Sequence, residues 1–243
     1  MPDWLHDLCL ASLLLGALCA LIIAADLVRR PQSMWIMNLV WPVTALFGSA
    51  WILWQYFAYG RSPGNVSADA ATARNTAMPE ARQPPFWVAA ANAALHCGSG
   101  CTLGDIAAEW LVFLVPSVAG WFGWRRLFGD KIFAAWTVDY LFAYGFGIVF
   151  QYFTIAPMRG LGFADGMVAA AKADTLSLTA WQVGMYGFMA FADFYLFRRL
   201  LGTALATDSV EFWCMMQIAM LCGFATCYPV NWWLIRTGIK ERM

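Results

Sequence analysis

One stretch of the chain, His96 to Glu109, reads HCGSGCTLGDIAAE and gathers an imidazole, two thiols and two carboxyls within fourteen residues. Thiolates and imidazole together suit soft metal ions, Cu(I) above all. His96, Cys97 and Cys101 are therefore the expected metal ligands. If the chain is helical beyond Cys101, then Cys97, Cys101, Asp105 and Glu109 recur every four residues and share one face. Asp105 and Glu109 lie one and two turns beyond the thiols, too far to close a tight ligand shell. They are expected to orient ligands or to move protons. Gly98 and Gly100 weaken a helix, so an interruption near 96–104 is expected, letting the three donors converge as in sites built from broken helices. Gly100 and Gly104 also have the small-x3-small spacing that lets another helix approach closely. The same residues admit other chemistry. Cys97 and Cys101 can be read as the redox pair of a membrane thiol–disulfide oxidoreductase, with His96 assisting a thiolate. Such enzymes usually carry a Cys-x2-Cys spacing, which this pair lacks. A third reading is a non-catalytic assembly subunit in which these residues only pack.

The elements that must position this motif are apolar. The sequence is 61% hydrophobic and only 12% charged, about half the charge of a soluble domain. Several apolar runs are roughly 20 residues long, the length needed to cross a bilayer. The expected fold is an all-α, polytopic integral membrane helix bundle, with the lipid bilayer as its surroundings. Formal net charge is zero and no basic block occurs, which excludes nucleic acid as a natural partner. With two histidines and no C-x-x-C-H, paired axial ligation of a haem is excluded. No phosphate-binding loop, dinucleotide fingerprint or common hydrolase motif is present, so no nucleotide is expected and no enzyme activity is assigned. The remaining cysteines, Cys9, Cys19, Cys214, Cys222 and Cys227, lie in apolar runs and read as small packing residues.

In chain order, residues 1–59 form a two-helix membrane unit, its first span closed by Arg29 and Arg30. Residues 60–86 are rich in Gly, Pro, Ser, Ala and Asn and read as a flexible, external, protease-accessible linker. Residues 87–243 form a four-helix membrane domain carrying the motif. Counting the interrupted motif region as one span gives six in all, and places the arginine pairs at 29–30, 125–126 and 198–199 on the cytoplasmic side. Splitting it into 86–100 and 104–124 gives seven. Within the second unit, Lys172, Thr175, Thr179, Gln182, Tyr186, Met189 and Asp193 alternate at spacings of three and four, tracing one helix face. Asp139, Ala143, Gly147 and Gln151 form a second stripe, and Gln217, Met220, Phe224, Tyr228 and Asn231 a third. Polar stripes of this kind do not face lipid. They predict an interior polar seam made by Asp139, Gln151, Lys172, Asp174, Gln182, Asp193, Gln217, Tyr228 and Asn231.

The segments HCGSGCTLGDIAAE, FQYFTIAPMRGL, KADTLSLTAWQVGMYG and YPVNWWLIRTGIKERM resemble an uncharacterised bacterial polytopic membrane family, a domain of unknown function. The resemblance runs from about Ala91 onward and implies a bacterial inner-membrane setting, with no activity attached. Joined to the motif, the expectation is a membrane protein binding a soft transition metal in transport or delivery. Its partners would be a metal ion, copper first, and a second copy or another membrane subunit.

Overall fold

The computed structural model describes residues 2–62, 84–240 and 242. Most of the 60–86 linker therefore lies outside the described residues. Among the described residues the regular structure is helical: α1 (Asp3–Arg29), α2 (Met37–Gln55, continued by a π-helical turn Tyr56–Gly60), α3 (Phe86–Leu114), the short α4 (Ser117–Trp121), α5 (Lys131–Arg159), α6 (Phe163–Ala190, continued by a π-helical Phe191–Leu201) and α7 (Val210–Arg236). The all-α membrane-type bundle is as expected. The number of spans is not. Four helices, α1, α2 with its extension, α5 and α7, are long and apolar enough to cross a membrane. The expected six included α3 and α6, which have the length but spend it on Gly, Ala and polar residues.

α3 is the axis of the bundle. Every residue from Val88 to Thr102 is buried, followed by Gly104, Asp105, Ala108, Glu109 and Val112. It is a single continuous helix, so the interruption expected near 96–104, and with it the seven-span count, is corrected. The reason lies in what the glycines touch. A Cβ on Gly100 would sit 3.0 Å from the backbone of Gly147, and one on Gly104 would run into the backbone of Ala143. A Cβ on Gly98 would run into the Trp181 ring. Tertiary packing on bare backbone thus offsets the poor helix propensity of glycine, roughly 1 kcal/mol per residue. Thr102 and Ser99 donate their hydroxyls back to Gly98 O and His96 O, at 2.7 Å each, and keep their polarity inside the helix.

The other helices surround this axis. Trp181 on α6 is fully buried and fills the space left by Gly98 on α3 and Gly223 on α7. α1 turns its small residues Gly16 and Ala20 inward, with Cys9, Cys19, Ile23 and Leu27, and leaves Leu14, Leu18 and Leu21 outward. In α2, which contains Pro42, the non-helical backbone falls at Ser49 (φ 44°, ψ −124°). Gln217 on α7 binds the first two helices, donating to Leu46 O at 2.6 Å and accepting from Ser12 at 2.7 Å. Gln55 on α2 donates to Asn92 on α3 at 2.9 Å. Interhelical bonds inside a bilayer contribute only about 0.6 kcal/mol each, so they set register while the shared core supplies cohesion. That core runs from Cys9 and Trp41 through Cys97 and Trp181 to Met216 and Cys227, and joins the first two helices to the rest.

α5 is started by Asp130, whose carboxylate accepts from Ile132 N, and stopped by Gly160 in the left-handed region (φ 62°). Beyond α7 a tight turn through Gly238 (φ 73°) folds the chain back, with Ile239 N and Lys240 N both donating to Leu234 O. That turn carries Lys240 inward.

Candidate functional site

Adjacent residues on a helix point about 100° apart, and on an unbroken α3 this separates the three expected ligands. His96 looks toward α5. Its Nε2 lies 2.9 Å from Thr154 Oγ1, and its ring meets Phe150 edge-on at 6.1 Å. The same Thr154 hydroxyl also lies 3.2 Å from Phe150 O. Cys97 and Cys101 look the other way, toward α6 and α7. Among the described residues no group of three or more His, Cys, Asp and Glu side chains is set to hold a metal ion.

What Cys97 meets instead is a third thiol. Its side chain adjoins Cys101, Cys227 of α7 and Ser177 of α6. Asn231 donates from Nδ2 to Cys227 Sγ at 2.9 Å and to Ser177 Oγ at 3.2 Å. Lys240, with no exposed side-chain surface, brings Nζ to 3.5 Å from Asp174 Oδ1 and 3.4 Å from Ser177 Oγ. The other Asp174 oxygen packs over Gly147, where a Cβ would lie 2.6 Å away. The thiols thus sit buried, with a cation and an amide donor close by. Cys227, Ser177 and Lys240 were not anticipated from the sequence. Cys227 and Asn231 are four apart, a signal for one face of α7, but Cys227 lies in a largely apolar span and reads there as a packing residue.

One to two turns along α3 a second polar group follows. Asp105 accepts from Gln182 Nε2 at 3.3 Å, and Glu109 accepts from Thr207 at 3.2 Å. Glu109 and Asp139 face each other between α3 and α5. Asp105 Oδ2, Asp139 Oδ1 and both amide atoms of Gln151 are buried without a protein partner among the described residues. Glu109 also lines a cavity of about 290 Å³, with Lys131, Asp193, Arg198 and Thr207 on its walls. At its mouth Arg198 joins Asp193 at 2.7 Å and pairs with Asp130. This guanidinium holds the Asp130 carboxyl below its usual range. A larger cavity, about 370 Å³ between α1, α2, α3 and α7, is walled mainly by apolar side chains such as Leu46, Phe47, Trp213, Met216 and Met220, with Asp208 and Gln217 also on its lining.

The seam residues Asp139, Gln151, Asp174, Gln182, Asp193, Gln217 and Asn231 are all buried. Tyr228 is half-buried and reaches Trp87 O at 3.4 Å. Lys172 is exposed and lies in a surface depression with Arg159 and Asp165, so its place in the seam is corrected. A stripe repeating every seven residues drifts by roughly 20° per repeat around a straight helix, and the early end of this one rotates out of the core. Thr175 and Thr179 there bond Tyr144 and Tyr140 of α5 at 3.1 and 2.9 Å. Asp174 and Ser177, one residue round, face inward instead. Gln182 is 1% exposed while its neighbour Val183 is 64% exposed. Gln182→Leu removes the donor on Asp105 and should cost about 1–3 kcal/mol in detergent melts. Val183→Leu should stay within about 0.5 kcal/mol, and equal costs would place Gln182 outside the interior face.

Residues 86–240 match the family described as Domain of unknown function (DUF4396), a region that contains the thiol group, the carboxyl group and the Lys240 turn. No curated protein and no solved structure matches the chain. With roughly two thirds of its length inside that match, the chain belongs to the DUF4396 family.

Proposed function

We propose that this is a bacterial inner-membrane protein that binds a soft monovalent cation, Cu(I) by its chemistry, between thiolates of the Cys97–Cys101–Cys227 cluster, in metal transport or delivery. The observation that supports the reading most is the third thiol: Cys227 approaches Cys97 from α7, so a pair drawn from two different helices is available. Cu(I) is satisfied by two thiolates in a line, and needs no fuller donor set. His96 is no longer a ligand in this reading, since its Nε2 is engaged with Thr154. Two thiols lose their protons when the metal binds. The burial of thiols, Lys240, Asp174 and the carboxyls in one membrane bundle is costly unless it serves an ion pathway.

The test is a competition titration of the purified, reduced protein against a chromophoric Cu(I) chelator under anaerobic conditions. The wild type should take one Cu(I) per chain, Cys97→Ser and Cys227→Ser should lose it, and His96→Ala should keep it. Affinity should fall as pH is lowered, because protons compete for the sulfurs. Absence of copper uptake, or uptake indifferent to Cys97→Ser, overturns the metal reading. A Cys97 disulfide recovered from the unreduced protein would turn the assignment to thiol–disulfide exchange.

A further inference from the structure

The carboxyls beyond the thiols carry an inference of their own. Asp105 and Glu109 project from α3 and Asp139 from α5, with exposures of 0%, 6% and 1%. Glu109 and Asp139 face each other between α3 and α5, and two facing carboxyls can bond only when one keeps its proton, because two carboxylates offer only acceptors. Among the described residues one cation, Lys131, acts on Glu109 by its charge, against three carboxyls. Its Nζ, at the start of α5, also donates to Val112 O at 3.3 Å and lies 5.9 Å from the Trp124 ring centroid, so it forms no ion pair with the group among the described residues. Arg198 on the α6 extension is committed to Asp193 and Asp130. Tyr186 of α6 donates its hydroxyl to Trp136 O at 2.9 Å, and Cys101 of α3 faces Asp105 from one turn away. Thr207, before α7, brings a hydroxyl to Glu109 and no charge. The remaining oxygens, Asp105 Oδ2 and Asp139 Oδ1, have no partner among the described residues. Three carboxylates in such surroundings cannot all be ionised at once.

We infer that Asp105, Glu109 and Asp139 form one exchangeable proton-binding site, loaded and emptied through the cavity that Glu109 shares with Asp193 and Arg198. Glu109 is the member that belongs to both groups. It touches Asp139 on the inner side and lines the cavity on the outer side, so a proton reaching it from water passes inward to Asp139 without a change of helix packing. Asp105 stands between this pair and Cys101, which makes the site the natural receiver for protons displaced from the thiols. The proton site itself does not depend on any metal being bound.

A hydrophobic carbodiimide tests it, because such reagents modify protonated carboxyls in apolar surroundings. Membranes containing the whole, metal-free chain are treated with dicyclohexylcarbodiimide, and the adduct is mapped by mass spectrometry. Glu109 should be labelled at neutral pH, and labelling should fall at least tenfold as the external pH is raised. Asp139→Asn should lower it similarly, since an asparagine amide donates to Glu109 and favours its ionised form. Glu109→Gln should remove the adduct. The wild-type pH series needs no variant to fold. An unlabelled triad at neutral pH overturns the inference, and so does labelling that ignores external pH, which would describe a sealed proton. Because copper is absent throughout, neither result bears on the thiol assignment.

Discussion

Lys240→Met is expected to lower the stability of the detergent-solubilised protein by about 3–5 kcal/mol, the cost of removing one member of a buried ion pair and leaving the other. Lys240 has no exposed side-chain surface, and Asp174, 3.5 Å away, is equally buried. The double variant Lys240→Met with Asp174→Asn should recover most of the loss, since a neutral amide beside a thioether leaves no uncompensated charge. Thermal melts of the three variants decide the matter. A single variant as stable as the wild type would show that the lysine is a passenger of the turn that carries it.

Gly104→Val is expected to cost about 3 kcal/mol or more, at the upper end of what overpacking does. The added branch would meet the backbone of Ala143 on α5, and backbone has no rotamer by which to move aside. The natural control is Gly145→Ala on α5, where a Cβ meets nothing within 4 Å. That change should stabilise by up to about 1 kcal/mol through helix propensity alone. Because α3 and α5 jointly hold the Glu109–Asp139 contact, Gly104→Val should also reduce carbodiimide labelling of Glu109. If Gly104→Val melts like the wild type, the close approach of α3 and α5 at that level is wrong.

How much of this was legible in the residues differs from place to place. The small-x3-small spacing of Gly100 and Gly104 announced a close helix neighbour, and Ala143 and Gly147 supplied its counterpart on α5 at the same spacing. The buried seam was legible at Gln182, Asp139 and Asn231, where a polar group stands alone among apolar ones. It failed at Lys172, because a heptad read as a straight stripe ignores the drift between 3.5 and 3.6 residues per turn. The glycines of the motif misled in another way. Local propensity says that Gly98 and Gly100 break a helix, whereas a close tertiary neighbour at each turns the missing side chain into an advantage. Lys240 was beyond reach, since its position depends on one turn at Gly238 that sequence pattern does not orient.

The burial of α3 has a consequence for how the protein is made. Insertion of a helix from the translocon into lipid depends on its apolar side chains, and polar residues near the centre of a span count against it. α1, α2, α5 and α7 meet that demand by length and composition. α3, with its glycines, His96, Asp105 and Glu109, leans on its neighbours, as does α6. The two are therefore expected to enter the bilayer only together with the four apolar helices. A nascent chain released between α3 and α5 would leave α3 without the surface its glycines were shaped to meet, and it would be the first segment to slip back into water and be degraded.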